Sequence, residues 1–189
     1  MEKLFEWTIP SEKEKSLRSL IGCKIVDIVK TSYETYPEYL SYLNEVGIDY
    51  NIDKISFFKF SYGGLVIIFD NGVKCHFGSA EDLNSIIICF NDSCNDFNDA
   101  KELTFVSNID NNPFLKLLNY KIIKINILTR NDLNSKQKGL PSENGLEFIF
   151  KNDEKIILSH NLTDNNFVFG VLTKEDAITK NRIVKKSFK

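Results

Sequence analysis

The chain has 189 residues and a formal net charge of −2, with 42% hydrophobic and 26% charged residues. Those values exclude wholesale disorder and a general binder of phosphate backbones, and they supply enough apolar surface for one compact domain without disulfide staples. No apolar run approaches the roughly 18 residues of a spanning helix, and the N-terminal MEKLFEWTIPSEKEK lacks the apolar stretch of a signal peptide. No membrane partner is expected, and the expected location is cytoplasmic.

Ser11 and Glu14 have the spacing of a capping box, which predicts a helix over 12–20. LRSLIGCKIVDI at 17–28 carries the first strand, and Pro37 suits the first turn of a helix over 37–46 that Gly47 ends. Residues 55–60, ISFFKF, read as a strand, followed by a tight turn at Ser61 to Gly64. GLVIIFDNGVKCHF at 64–77 is a hairpin: Leu65, Ile67 and Phe69 alternate with Val66, Ile68 and Asp70, and Asn71-Gly72 fits a two-residue type I′ turn. A closing strand follows within 80–90, and Leu103 to Val106 forms another. Pro113 opens a short helix over 114–119, and GLEFIFKNDEKIIL at 145–158 is a second hairpin whose turn, Lys151 to Glu154, calls for looser geometry. The last residues, TKEDAITKNRIVKKSFK, are thin in apolar side chains and read as a frayed helix or basic tail over 176–189.

The two hairpins align at an offset of 81, and AEDLNSIIICF at 80–90 then lies over NLTDNNFVFGV at 161–171. Upstream, 17–28 lies over FLKLLNYKIIKI at 114–125 at an offset of 97, so the first half carries sixteen extra residues. Few identities survive, but order and pattern do. The expected fold is therefore a β-rich α+β domain of mainly antiparallel sheet, built from two pseudo-repeated β-hairpin units with a few short helices. It is one globular domain over 1–189, with halves at about 11–108 and 109–175.

Catalytic constellations are sparse. Alternation places His76 opposite Cys75 and Phe77, and His160 lies two positions beyond Leu158, so the two histidines are not repeat mates. Cys23, Cys75, Cys89 and Cys94 show no paired spacing, are expected as reduced thiols, and with His76 lack the knuckle of a zinc site. Gly63-Gly64 precedes a strand rather than opening a helix, so no phosphate cradle is present. No catalytic residue, metal or cofactor is expected. Nucleic acid is not an expected partner either: Lys180, Arg182, Lys185, Lys186 and Lys189 are basic, but most aromatics fall on core-facing positions. Charge is divided along the chain. Residues 45–110 hold eleven acids against four lysines, and residues 111–189 hold fourteen bases against eight acids. The acidic segment, with Glu81, Asp82, Asp92, Asp96 and Asp99, is the candidate contact for a basic partner, joined by Tyr36 and Tyr39 from the insertion. The packing alternative is that Tyr36, Tyr39 and Tyr42 form a helical stripe against the sheet.

The opening Leu-Ile-Gly-x-Lys-Ile-Val-x-Ile at 20–28, the Gly-Leu-x-Ile-x-Phe-x-Asn-Gly hairpin at 64–72 and the Ala-Glu-Asp-Leu connection at 80–83 together resemble the cytosolic immunity proteins of bacterial contact-dependent and other polymorphic toxin systems. That resemblance implies a non-enzymatic inhibitor that binds one cognate toxin domain, a basic nuclease, one to one and masks its active site without a cofactor. The alternative expectation is a small-molecule-binding or enzymatic β domain with a pocket between the halves and His76 or His160 as its polar handle.

Overall fold

A computed structural model of the protein describes residues 7–47, 52–90, 100–162, 169–176 and 182–189. Among them the chain makes two five-stranded sheets. Sheet 1 contains β1 (Ile25–Ser32), β2 (Leu65–Phe69), β3 (Lys74–Ala80), β4 (Ser85–Phe90) and β5 (Glu102–Phe105), in the order β4-β3-β2-β1-β5. Sheet 2 contains β6 (Ile122–Arg130), β7 (Gly145–Phe150), β8 (Lys155–Ser159), β9 (Gly170–Thr173) and β10 (Arg182–Phe188), in the order β10-β6-β7-β8-β9. Each is a four-strand meander whose fifth strand returns to flank the first, and every pairing is antiparallel. The helices are α1 (Glu14–Ser19), α2 (Tyr36–Glu45) and α3 (Lys54–Phe60), with short 3-10 turns between strands. No described helix is long and apolar enough to cross a membrane.

Matching topology extends to atomic detail. The register slips between Ile25 and Asp27 where β1 meets β2, and between Ile122 and Lys124 where β6 meets β7, which is the same bulge displaced by 97 residues. Left-handed backbone recurs at Gly22 (φ 89°) and Asn119 (φ 67°), again 97 apart. Where these two corners meet, the Gly22 N–H donates to Ile122 O at 2.8 Å and the Asn119 N–H donates to Ile25 O at 2.9 Å. Each bond is the other with the halves exchanged, and Lys24 bridges Lys121, its own counterpart. The halves are thus related by a local pseudo-twofold axis passing between Lys24 and Lys121.

One core serves both halves. Leu65, Ile67, Phe69, Cys75 and Phe77 from sheet 1 and Ile125, Ile127, Leu146, Phe148 and Leu158 from sheet 2 belong to a single buried apolar cluster. The rings of Phe77 and Phe148 meet edge to face with centroids 6.0 Å apart. Where these two rings meet, the space between the halves is filled by packed side chains.

Several expectations are corrected by geometry. Residues 55–60 form α3 rather than a strand: the Asp53 carboxylate accepts the Ser56 N–H at 2.7 Å and starts a helix that buries Phe57 and Phe58 together. No side-chain cap forms at Ser11, whose N–H instead donates to the buried Glu143 carboxylate at 2.9 Å. At the first hairpin only Gly72 has positive φ, and its N–H bonds Phe69 O, giving a type I turn with a bulge in place of type I′. The second turn repeats that geometry, with Asp153 (φ 61°) in place of Gly72, so it is no looser. The closing strands match at an offset of 83, since Ile88 opposes Phe77 and Val171 opposes Leu158. That shift of two keeps the same residues facing inward. Finally, the expected basic tail contains β10, which pairs with β6 and buries Phe188 completely.

Candidate functional site

β5 is the outer strand of sheet 1, and the hydrogen bonds of β1 define what its free edge offers. The Thr31 N–H donates to Gly64 O and the Tyr33 N–H to Tyr62 O, so odd-numbered residues of β1 face β2. Lys30 and Ser32 therefore face β5, where they oppose Thr104 and Glu102. The N–H and C=O groups of Leu103 and Phe105 consequently point away from the sheet. Leu103 is 56% exposed.

Beside this edge runs a groove of about 450 Å³ between β5 and the first turn of α3. Its walls include Asp53, Lys54, Leu103, Phe105 and Asp110 together with Glu102. Three carboxylates against one ammonium leave a net charge of −2 (1 minus 3) along the groove. The backbone N–H of Ser56 holds the Asp53 carboxyl below its usual range, so its charge persists. Glu102 is fixed by the Tyr36 N–H at 2.8 Å.

A second concavity, of about 350 Å³, lies at the turn end of sheet 1. It is walled by Trp7, Tyr33, Tyr62, Ile87 and Phe169, with Glu81 at its rim and small residues at Gly63, Gly64 and Gly78. Tyr62 is 68% exposed and packs on Tyr33 with centroids 5.7 Å apart. Gly63 is required because a Cβ there would stand 2.0 Å from Thr31 O.

The predicted site residues divide between these places and the core. Glu81 and Asp82 are exposed in the β3–β4 turn. Asp92, Asp96 and Asp99 lie outside the described residues. Tyr36 and Tyr39 are half-buried and pack on Phe57, each with centroids 5.4 Å apart, and the Tyr36 hydroxyl donates to Ile52 O. These two tyrosines pack on helix α3 rather than on the sheet, and Tyr42 is exposed, so the three do not form a stripe against the sheet. His76 lies on the outer face of sheet 1 between Val66 and Cys89, as alternation predicts. His160 follows β8, is buried, and donates its backbone N–H to Asn144 O at 2.7 Å. Among the described residues no group of three His, Cys, Asp or Glu side chains could hold a metal. Cys23 and Cys75 are free, but Cys89 is disulfide-bonded to a partner outside the described residues. The expectation of four reduced thiols therefore fails at Cys89.

Two polar features have no sequence forecast. Glu147, in β7, accepts from Asn126 at 2.6 Å and pairs with Lys155 at 3.0 Å. Burial by itself raises the Glu147 carboxyl, but those hydrogen bonds and the charges of Lys155 and Arg182 outweigh it and hold the group below its usual range. Lys30 is the other. It is completely buried in β1, and desolvation pushes its amine down to about 7. Alternation alone could have found it, because Lys30 shares a face with Ile28 inside an apolar strand. The β5 edge had no such signal, since strand order is set by pairing across the chain. Comparison of the chain with protein-family models, curated proteins and solved structures finds no match.

Proposed function

We propose that this chain is a non-enzymatic binding protein that neutralises a basic toxin domain, with the groove along β5 as its contact surface. The supporting observation is the coincidence of a sheet edge that no strand covers among the described residues with an acidic wall. An extended segment laid beside Leu103 and Phe105 gains main-chain hydrogen bonds from the edge, and its Lys or Arg side chains meet Asp53, Glu102 and Asp110. Strand addition gives affinity that is indifferent to sequence; the carboxylates select a basic partner and speed its arrival. Glu81 and Asp82 lie in the exposed β3–β4 turn, across sheet 1 from β5, and are not part of this groove. Masking the partner's active site needs no cofactor and no nucleophile on this chain.

The test begins with capture of the tagged protein from cells that produce it, followed by native mass measurement. A one-to-one complex with a basic domain is the expected result. Leu103→Pro, which removes an outward N–H on an edge strand, and Asp110→Lys should each then weaken binding about tenfold, or ~1.4 kcal/mol, with a shallower salt dependence for Asp110→Lys. A protein recovered alone at its own mass, or a complex indifferent to both substitutions, rules this surface out.

A further inference from the structure

Lys30 has no charged counterpart in the other half of the molecule. The 97-residue offset that superposes β1 on β6 places it at Ile127, and both positions oppose a leucine on the next strand, Leu65 and Leu146. Ile127 is a fully buried member of the shared core. The fold therefore accepts an aliphatic side chain at this position and does not require an amine. Lys30 is nevertheless 0% exposed, and among the described residues its Nζ has no hydrogen-bond partner. Among the described residues its compensating contact is the ring of Phe169, 5.0 Å from Nζ to the centroid. A cation–π contact offsets only part of the cost of stripping water from an ammonium group. Burial accordingly lowers the amine to about 7, so near neutral pH a large share is an unprotonated nucleophile.

The same Phe169 ring forms part of the wall of the hollow with Trp7, Tyr33 and Tyr62. One aromatic side chain thus touches a buried amine and also lines an open concavity large enough for a single-ring ligand. The rim carries Glu81, whose charge disfavours a carboxylate or phosphate. A neutral carbonyl is the group that answers both features.

We propose that Lys30 and this hollow form a capture site for a small aromatic aldehyde, its ring held among Trp7, Tyr33 and Tyr62 and its carbonyl carbon directed past Phe169 to Nζ. The nitrogen lone pair adds to the carbonyl carbon, the C–O bond breaks, and oxygen leaves as water with the two amine protons, giving a C=N bond that water can reverse. No oxidant or reductant is consumed.

Benzaldehyde with cyanoborohydride, which supplies hydride to fix the imine as a secondary amine, makes the test direct. At pH 7.5 peptide mapping should find Lys30 modified at least tenfold faster than any surface lysine, with a rate that saturates in aldehyde and rises with pH about a midpoint near 7. Lys30→Met should abolish the selective modification while leaving the circular dichroism unchanged, as its Ile127 counterpart indicates. Tyr62→Ala, at an exposed position, should raise the half-saturating concentration at least fivefold and leave the limiting rate intact. Modification confined to surface lysines, or labelling of Lys30 that never saturates and ignores Tyr62→Ala, would overturn the proposal.

Discussion

A buried amine with no hydrogen-bond partner among the described residues makes stability depend on pH in a fixed direction. Lys30 falls from 10.5 to about 7 in the fold, and desolvation alone is the cause. Between those values the unfolded chain holds the proton more firmly, so unfolding takes one up and stability rises with pH by at most about 1.4 kcal/mol per unit. Below pH 7 both states are protonated and the burden is constant. Denaturant titrations at pH 7 and 9 should show a steeper gain for the wild type than for Lys30→Met, and the variant should be the more stable protein at pH 7. Parallel curves would mean that the amine keeps its proton in the fold. Glu147 works at the acid end. Its folded carboxyl is held below the ordinary value of 4.5, so its contribution is present above that value and is lost as pH falls through the depressed one. Glu147→Gln should flatten the acid-unfolding profile and, by leaving Lys155 without its carboxylate, cost on the order of 2 kcal/mol at pH 7.

At the scale of elements, the local signals that worked were those with a backbone mechanism. Pro37 and Gly47 bracket α2, and Thr35 supplies its cap by accepting the Glu38 N–H. Thr35→Ala should lower stability by about 1 kcal/mol in a thermal melt. Asp153→Gly should be neutral or stabilising because Gly72 fills the same left-handed position in the other turn, whereas Gly63→Ala should be severely destabilising, with its Cβ driven onto Thr31 O. Both hairpins, β1, β5 and the inward faces of β2 and β3 were legible because period-two alternation follows from pleating. Residues 55–60 were not. ISFFKF is too short for its apolar pattern to separate helix from strand, and the deciding feature is Asp53 just ahead of it. β10 escaped for a related reason: its burial pattern is open except at Phe188, so the strand is fixed by pairing with β6 rather than by its own composition. The candidate site was less legible than the fold. Charge density over 45–110 singles out the half that contains β5, but the edge and groove arise only when β5 takes the outer position.

The whole molecule behaves as one unit because neither sheet owns its core. Phe77 and Phe148 belong to different halves and touch, so each should cost ~3–5 kcal/mol on replacement by alanine, with a non-additive part near 1 kcal/mol in the double variant. Unfolding followed by circular dichroism and by the fluorescence of Trp7 should superimpose in a single transition, and the separated halves should not fold. Two transitions would mean that the sheets carry independent stability. Ion pairs reinforce this coupling: Glu143, from the segment before β7, takes both the Ser11 N–H and the Lys185 ammonium, the latter at 3.0 Å. The first helical turn and the last strand are thereby tied to one carboxylate.

The junction at the pseudo-twofold axis is written in main-chain atoms, Gly22 to Ile122 and Asn119 to Ile25. Amide groups are common to every residue, so this seam places almost no demand on side-chain identity beyond two left-handed corners. Side chains along the seam can change without breaking its hydrogen bonds, whereas those in the shared core cannot change independently. That latitude accounts for the coexistence of near-identical geometry with scarcely matching sequences. At one pair of matched positions that this seam relates, the same pocket of the fold holds the hydrocarbon Ile127 in one half and the amine of Lys30 in the other.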